Sequence, residues 1–340
     1  MGLACKFGHT MINVIIPAAG IGTRLRPHTH TLTKALLPVA GKPILGHILD
    51  RLTGLPGLGG IWIVLGVFAD QIRTYVTSHH QLPVHFVDQS ELRGLGYAIH
   101  LGLEAIPGDD PVLVILGDTI VETDLTLFMA GPDDALGVHE VDDPRRFGVV
   151  ETEGRWIKHL VEKPETPASK QAVVGLYGIK STSLLRQCLN DVVARNRTVA
   201  GELQVTDALQ LMVDRGSRMA AVNVDGWYDC GELETLLLTN RHLLQTCGQQ
   251  VTVPGSVVIP PSYVAPTARI EQSVIGPYAS IGDRAVVRQS IIMNSIVSEG
   301  AEMRHCVLAD SMIGSHASVV GRVERLNIGD SSEIGLAIQS

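Results

Sequence analysis

Residues 14–43 read VIIPAAGIGTRLRPHTHTLTKALLPVAGKP, a short apolar run that leads into a glycine-rich loop. The β-branched run at residues 14–16 is typical of a central strand in a parallel sheet, which is buried on both faces. Gly20 and Gly22 follow at once. Glycine adopts positive φ without a steric penalty, so successive N–H groups there can point inward around an anion. The stretch therefore predicts a strand that delivers an anion-binding loop.

Two cations follow this loop. Arg24 offers a planar fork of donors for phosphate oxygens, and Lys34 adds a second, more mobile positive charge. A P-loop is excluded because it requires Gly-Lys-Ser/Thr after its glycines, and a dinucleotide fingerprint is excluded because it requires a third glycine that opens a helix. A Gly-x-Gly after a strand would alone be weak evidence. The two cations and the segment at residues 36–39 favour a site for a nucleoside triphosphate.

Composition and charge limit the class of protein. With 340 residues and 45% hydrophobic content, the chain can bury a large core and is expected to form about two domains. No apolar run reaches the roughly eighteen residues needed to cross a bilayer, so no membrane partner is expected. The segment before Met11 lacks the features of a secretory signal and is expected to be a disordered leader. A formal charge of −8 argues against a nucleic-acid partner.

Cysteines and histidines show no spacing typical of a metal site. The cysteines are odd in number and lack Cys-x-x-Cys pairs, which argues against a disulfide framework or zinc and fits a reducing cytoplasm. They are Cys5, Cys188, Cys230, Cys247 and Cys306. Five histidines near the candidate motifs are expected to pack at the surface or in the core. They are His28, His30, His79, His80 and His100.

From residue 11 to about 245, apolar strand-like runs alternate with helical stretches, which is typical of an α/β domain. The strand-like runs are residues 61–65, 84–87, 112–116, 135–141, 157–161 and 171–179. The carboxyl ends of parallel strands form one edge of a sheet, where ligands bind. The glycine loop after Ile16 and the carboxylate of Asp118 after Leu116 are therefore expected at one crevice. A carboxylate in that position suits a hard divalent cation.

A leucine-rich helix is expected at residues 232–246, and the pattern then changes. Aliphatic residues recur every five or six positions, which is typical of a β-helix whose short strands each place one aliphatic side chain inward and stack coil upon coil. These residues are Ile259, Val264, Ile270, Ile275, Ile281, Val287, Ile292, Val297, Met303, Leu308, Ile313 and Val319. Period-2 alternation is poor, so a β-sandwich is the weaker alternative. The predicted domains are residues 11–245 and 250–335.

The motifs together resemble the signature of the sugar-1-phosphate nucleotidyltransferases. They are residues 20–25 (GIGTRL), Lys34, residues 37–39 (LPV) and residues 42–43 (KP). The match is to the long-form thymidylyltransferases, whose left-handed β-helix tails resemble the hexad pattern. The resemblance implies an α/β, Rossmann-like nucleotidyltransferase domain with a mixed, mainly parallel sheet, followed by a left-handed β-helix. It also implies transfer of a nucleotidyl group to a sugar 1-phosphate, with dTTP and glucose 1-phosphate favoured and Mg²⁺ as the cofactor.

The same resemblance assigns roles to individual residues. At the nucleotide it places Ala19, Gly20, Gly22, Thr23, Gln89 and Gly94. At the sugar it places Gly148, Glu162 and Val173. For the chemistry it implies Arg24, Lys34, Lys163 and Asp118, with Asp118 and Asp229 as the magnesium ligands. Cys230-Gly231-Glu232 departs from the family's usual continuation after this aspartate, and the block at residues 201–208 is expected to be mainly structural.

The choice of nucleotide stays open at the level of sequence. An amide such as that of Gln89 donates and accepts at once, as the edge of thymine or uracil demands. Ala19 and Ala35 stand where thymidylyltransferases commonly carry Gly and Gln, and residues 94–98 are reminiscent of uridylyltransferases. A UTP- or GTP-using enzyme is therefore an alternative.

Two other classes of function compete with this hypothesis. One is a sensor that binds nucleotide sugars without catalysis. The presence of all five charged residues of the motifs argues against a sensor. These residues are Arg24, Lys34, Asp118, Lys163 and Asp229. The other is a bifunctional enzyme whose β-helix transfers an acyl group with His305 or His316 as the base. A role of the β-helix as a scaffold for a homo-oligomer or as a regulatory surface is favoured instead.

Overall fold

The structure is a computed structural model that describes residues 11–196, 198–199, 201–247, 251–321 and 327–335. The predicted leader before Met11 lies outside the described residues. The chain divides into two compact units, one built from Met1–Gly20 and Ile48–Trp227 and the other from Ile21–His47 and Tyr228–Ser340. The units interleave along the chain, and the predicted domain boundaries at residues 245 and 250 stay a prediction.

Strands and short helices alternate up to residue 247. The strands are β1 (Ile12–Ala18), β2 (Pro38–Val39), β3 (Lys42–Pro43), β4 (Leu58–Leu65), β5 (Val84–Asp88), β6 (Val112–Ile115), β7 (Thr119–Glu122), β8 (Asp134–Glu140), β9 (Gly148–Glu153), β10 (Trp156–Glu162), β11 (Gln171–Ile179), β12 (Met219–Asn223) and β13 (Gly226–Asp229). The helices are α1 (Ile44–Leu52), α2 (Ala69–His79), α3 (Leu95–Ala105), α4 (Leu125–Phe128), α5 (Thr182–Arg195), α6 (Val205–Asp214) and α7 (Leu233–Cys247). The predicted strand runs and the helix after residue 232 are confirmed.

The first unit is organised around a nine-stranded sheet of order β5-β4-β1-β6-β11-β8-β12-β10-β9. Strands β5, β4, β1 and β6 are parallel neighbours, and β8 and β12 form a further parallel pair. The remaining neighbours are antiparallel. The predicted mixed α/β sheet is confirmed, although its mainly parallel character holds only for the half that carries β1.

Burial explains the sequence pattern of the central strands. Residues 14–16 of β1 and residues 61 and 63–65 of β4 are fully buried, as the apolar runs predicted. Helices α3, α5 and α6 pack together over the sheet, with Leu103, Leu189 and Leu209 in one core cluster that includes Ile15. The sheet is thus a rigid support for the loops at its edge.

The second unit ends in a β-helix of three parallel sheets. Its strands are β14 (Val257–Val258), β15 (Tyr263–Val264), β16 (Arg269–Glu271), β17 (Val274–Ile275), β18 (Ser280–Ile281), β19 (Val286–Arg288), β20 (Ile291–Met293), β21 (Ile296–Val297), β22 (Glu302–Arg304), β23 (Val307–Ala309), β24 (Met312–Ile313), β25 (Ser318–Val320), β26 (Asn327–Ile328) and β27 (Glu333–Gly335). The sheets are β14-β17-β20-β23, β15-β18-β21-β24-β26 and β16-β19-β22-β25-β27. This is the arrangement expected of the predicted left-handed β-helix.

The predicted inward-facing residues of the β-helix form its core, with one exception. From Val264 to Val319 they are buried, but Ile259 is 40% exposed and that prediction is wrong. Val258 pairs in register with the buried Ile275, so Val258 is the inward position of the first coil. A shift of one residue reverses the face of a strand, which is why Ile259 points outward.

Asn240 of α7 links the segment at residues 21–47 to the β-helix within the second unit. It is completely buried, and its Oδ1 accepts from the backbone N–H of Ala40 at 2.8 Å and from Ser280 Oγ at 2.7 Å. Its Nδ2 donates to the carbonyl oxygen of Tyr278 at 3.2 Å. Buried polar groups are stable only when bonded in this way, so Asn240 fixes the loop segment on α7. In the described part of the chain, no helix is long and apolar enough to cross a membrane.

Candidate functional site

The end of β1 and the end of β6 lie side by side in the first unit. The two strands are parallel neighbours, and the backbone N–H of Gly117 donates to the carbonyl oxygen of Pro17 at 3.1 Å. Asp118 follows Gly117 directly, and Ala19 and Gly20 follow β1. The glycine loop and the carboxylate of Asp118 therefore begin at one edge of the sheet, as the sequence predicted.

The loop continues in the second unit, where Gly22 adopts the left-handed conformation with φ of +69°. Its carbonyl oxygen accepts from Thr29 Oγ1 at 2.7 Å. A Cβ at this position would lie 3.1 Å from both Lys34 Cβ and Thr29 Cγ2. Only glycine combines this φ with this space. Thr23 begins a single 3-10 turn directly after it, which Leu25 closes by donating its backbone N–H to the carbonyl oxygen of Gly22.

Lys34 is only 7% exposed, which is unusual for a lysine. It opens a short 3-10 turn whose end is closed by the backbone N–H of Leu37 donating to the carbonyl oxygen of Lys34. Its position beside Gly22 is consistent with the predicted role at phosphate.

Arg24 and Asp229 approach each other around Gly231. A Cβ on Gly231 would lie 2.8 Å from Asp229 Oδ2 and 3.2 Å from Arg24 Nη2. Arg24 Nη1 also donates to Glu232 Oε1 at 3.2 Å. Glu232 lies in the segment where the sequence departs from the family pattern, and it was missed as a partner of the arginine because the two residues are 208 positions apart.

The predicted base-reading residues lie in the loop between β5 and α3. Gln89 is buried, and its Nε2 donates to the carbonyl oxygen of Glu91 at 3.1 Å. Gly94 has φ of +98°, and a Cβ there would lie 2.8 Å from the backbone nitrogen of Leu203. The block at residues 201–208 supports this loop, since the backbone N–H of Leu203 donates to the carbonyl oxygen of Arg93 at 2.7 Å.

The three predicted sugar-side residues converge in the first unit. Gly148 of β9 pairs with Glu162 of β10, and a Cβ on Gly148 would lie 3.2 Å from Glu162 Oε2 and 3.7 Å from Val173 Cγ2. Thr206 joins this group, because its Oγ1 donates to Glu162 Oε2 at 3.2 Å. The sequence block that contains Thr206 was expected to be structural, and only the fold of α6 against β10 reveals this contact.

Burial is the main influence on the Glu162 carboxyl group. Burial raises its pKa, while the nearby charge of Lys163 and the hydrogen bond from Thr206 lower it. Ionised Glu162 is an acceptor only, whereas its protonated form carries a donor. Burial prevails and the pKa is raised overall, but Lys163 and Thr206 oppose this shift by favouring the ionised form, which accepts a hydrogen bond from a hydroxyl group.

Lys163 has an unusual backbone for a residue with a side chain. Its φ of +45° lies in the left-handed region, and its backbone N–H donates to the carbonyl oxygen of Phe147 at 3.0 Å. Its Nζ lies 3.6 Å from Glu162 Oε1, and its side chain is about half exposed. Such conformations are unfavourable and cluster at functional sites. The strand ending at Glu162 thus holds an ammonium group beside the sugar-side cluster.

Loss of the Thr206 hydroxyl group is expected to weaken the sugar side selectively. The variant Thr206→Val keeps the shape of the side chain but removes the hydrogen bond that lowers the pKa of Glu162. That pKa should rise further, so kcat/KM for the sugar 1-phosphate should begin to fall at a higher pH than in the wild type. Measurements of kcat/KM from about pH 5 to about pH 8 determine this shift.

Thr182→Val is the matched control for this change. Thr182 is also buried, and its Oγ1 donates to the carbonyl oxygen of Asp110 at 2.9 Å, so a buried hydroxyl group is lost without touching Glu162. If the acid limb of the pH profile moves equally in both variants, the result would contradict the proposed effect of the Thr206 hydroxyl group on the pKa of Glu162.

Magnesium was predicted at Asp118 and Asp229. In the described residues, no group of three or more His, Cys, Asp or Glu side chains could hold a metal ion. Magnesium usually keeps several waters and binds through one or two carboxylates plus substrate phosphates. Asp118 also accepts from Thr119 Oγ1 at 3.3 Å. Both carboxylates have the required chemistry, and their joint role stays a prediction.

Several of the predicted residues contact one another in three groups, and their functional roles stay predictions. The sugar-side group of the first unit contains the predicted residues Gly148, Glu162, Lys163 and Val173. Thr206, which the sequence did not predict, completes this group. The second unit pairs Gly22 with Lys34 and, separately, Arg24 with Asp229.

Known proteins are similar to this chain in both sequence and fold. A model of the nucleotidyl transferase family matches residues 13–246. A glucose-1-phosphate thymidylyltransferase of Streptomyces griseus is 32% identical, covering 94% of this chain and 98% of the relative. A protein of Methanococcus vannielii named bifunctional protein GlmU is 28% identical, covering 89% of this chain and 78% of the relative. A crystal structure of UDP-glucose pyrophosphorylase with UDP-glucose matches with a TM-score of 0.61 at 26% identity, covering 69% of this chain and 99% of that one.

Proposed function

This chain belongs to the nucleotidyl transferase family, and on that premise we propose that it transfers a nucleotidyl group from dTTP to glucose 1-phosphate. The products are a nucleotide sugar and pyrophosphate. The thymidylyltransferase of Streptomyces griseus covers nearly the whole chain, including the β-helix, and supports this choice of substrates.

One structural observation carries the proposal. Gly148, Glu162 and Val173 converge although they come from three different strands. Lys163 stands next to them with its ammonium group 3.6 Å from Glu162 Oε1. A carboxylate acceptor, a glycine backbone without a side chain and a cation suit a sugar hydroxyl, a sugar ring and an anomeric phosphate respectively. A protein that binds only a nucleotide does not require this sugar-side group.

The reaction we propose is an in-line displacement at the α-phosphorus. An oxygen of the sugar phosphate forms a new bond to that phosphorus, and the bond from it to the oxygen of the β-phosphate breaks. Pyrophosphate leaves with the electron pair of the broken bond. The phosphate oxygen is already ionised, so the protein has to align two polyanions and stabilise charge rather than supply a strong base.

Individual residues have distinct parts in this proposal. Arg24 and the N–H groups of the glycine loop hold the departing pyrophosphate, while Lys34 and Lys163 bind the reacting phosphates. Glu162 orients the sugar by accepting from a hydroxyl group. Magnesium held by Asp118 and Asp229 would neutralise phosphate charge when bound.

A substrate panel tests the choice of nucleotide and of sugar. Purified full-length protein is assayed for pyrophosphate release with dTTP, UTP and GTP against several sugar 1-phosphates. The highest kcat/KM is expected with dTTP and glucose 1-phosphate. A preference for UTP or GTP would overturn the nucleotide, and no pyrophosphate release with any pair would favour the sensor. An assay with acetyl-coenzyme A tests the acyltransferase alternative.

A further inference from the structure

The last described coil of the β-helix contacts the loop that follows Arg24. The imidazole Nε2 of His28 forms a hydrogen bond with Asn327 Oδ1, and Thr31 Oγ1 donates to Asp330 Oδ2. Between these two contacts, a Cβ on Gly329 would lie 2.8 Å from Pro27 Cβ. All of these residues belong to the second unit. Two side-chain hydrogen bonds and one tight backbone contact thus join the coil to residues 27–31.

The coil is itself firmly held by the rest of the β-helix. Ile328 is 5% exposed and pairs in register with the fully buried Ile313. The backbone N–H of Gly314 donates to the carbonyl oxygen of Ile328 at 2.8 Å. Asp330 uses its other oxygen, Oδ1, to accept from the backbone N–H of Ser315 at 2.8 Å. One carboxylate therefore bonds both to the β-helix and to the loop.

The contact continues through the loop to the glycines. His28 and Thr29 are each only 2% exposed, so this part of the loop is packed rather than free. Thr29 Oγ1 donates to the carbonyl oxygen of Gly22 at 2.7 Å, and Thr29 Cγ2 and Lys34 Cβ pack against the side of that glycine where a Cβ would lie. A displacement of residues 27–31 would consequently move the backbone that presents Gly22 and Arg24.

We infer that Asn327 and Asp330 are positioning residues for the phosphate-binding loop, so that the β-helix contributes to binding of the triphosphate. This inference rests on the proposed function, because it assigns Gly22, Arg24 and Lys34 to that substrate. The role is indirect, since the two residues act through His28 and Thr31. Misplacement of a binding group by about 1 Å can cost up to about 100-fold in rate, so a small shift of the loop is sufficient.

The variants Thr31→Val and Asn327→Ala each remove one of the two hydrogen bonds. Both positions are exposed, so the fold should persist. We expect the KM for dTTP to rise about tenfold in each variant, with the KM for the sugar 1-phosphate unchanged and the melting temperature within about 3 °C of wild type. A merely structural role would lower the melting temperature or the active fraction without this selective change in KM.

Thr267→Val is the matched control for Thr31→Val. Thr267 Oγ1 donates to Asp283 Oδ1 at 2.6 Å in an exposed Thr–Asp pair within the β-helix. Loss of that pair should leave the KM for dTTP at the wild-type value. An unchanged KM in both test variants, or an equal rise in the control, would overturn the inference.

Hydrogen exchange separates this inference from the proposed function. Amides of residues 22–36 should exchange faster in Thr31→Val and Asn327→Ala than in the wild type and in Thr267→Val. If the wild-type protein releases no pyrophosphate, the proposed function fails while this readout still decides the coupling. Equal exchange in all four proteins would exclude control of the loop by the coil.

Discussion

Replacing Arg24 by alanine is expected to lower kcat/KM for pyrophosphate release by roughly 10²- to 10³-fold. The proposed role of this guanidinium group is to hold negative charge that develops on the departing pyrophosphate. Its described partner, Glu232, forms an ion pair in which both side chains are substantially exposed, so the pair adds little to stability. The loss should therefore appear in catalysis and not in the melting temperature. Steady-state assays together with thermal unfolding measure both quantities.

Arg26→Ala is the matched control for this change. Arg26 stands on the same loop, two residues further along, and is exposed. It has no predicted role, and its removal changes the net charge by the same amount. A comparable loss of activity in both variants would indicate a general electrostatic effect on a polyanionic substrate. Near wild-type turnover of Arg24→Ala would refute its assignment.

Most of the fold could be predicted from the pattern of apolar residues in the sequence. Periodic apolar runs predicted β1, β4 and β6 because strands buried on both faces need aliphatic side chains throughout. The hexad repeat predicted the β-helix because each short strand places one aliphatic side chain inward, and it failed only at Ile259 in the first coil. There, two neighbouring aliphatic residues, Val258 and Ile259, were both possible inward positions, and only pairing with Ile275 decides between them.

The sequence was less informative about contacts that connect distant residues. Thr206 reaches Glu162 across 44 positions, and Asp330 reaches Thr31 across 299. Serine and threonine hydroxyl groups bond to many partners, so their type alone predicts no particular one. The same limit applies to Glu232, whose partner became visible only when the turn after Asp229 was seen beside Arg24. Local motifs predicted the reacting groups, whereas the residues that contact those groups could be identified only from the fold.

Lys163 differs from the other predicted cations because its backbone adopts a strained, left-handed conformation. A residue with a Cβ in the left-handed region costs roughly 1–2 kcal/mol relative to an ordinary conformation. Pro164 follows Lys163, and the backbone N–H of Lys163 donates to the carbonyl oxygen of Phe147. The surrounding chain therefore imposes the φ of +45° at Lys163. Glycine would satisfy this backbone better than lysine does. Other residues with a Cβ, among them Ala40 and Phe68, also adopt positive φ, so the proposed role of Lys163 rests on the position of its ammonium group.

Two substitutions at this position should therefore separate stability from activity. Both Lys163→Ala and Lys163→Gly are expected to lower kcat/KM for the sugar 1-phosphate by roughly 10²-fold or more, because each removes the cation beside the sugar-side group. Glycine relieves the strain but loses about 0.4–1 kcal/mol through the entropy of the unfolded chain. The glycine variant should accordingly melt no lower than the alanine variant. Kinetics with varied sugar 1-phosphate and thermal unfolding of both variants provide the test.

Lys158→Ala is the control, on β10, the strand that ends directly before Lys163. Its Nζ pairs with Glu153 Oε2 at 3.0 Å, and its side chain is about half exposed, like that of Lys163. Its loss should leave kcat/KM unchanged. Loss of the Lys163 charge should also raise the pKa of Glu162, since that charge lowers it, and the acid limb of the pH profile should move to higher pH. Activity near the wild-type value in both Lys163 variants would show that the strained backbone serves the fold and not the phosphate.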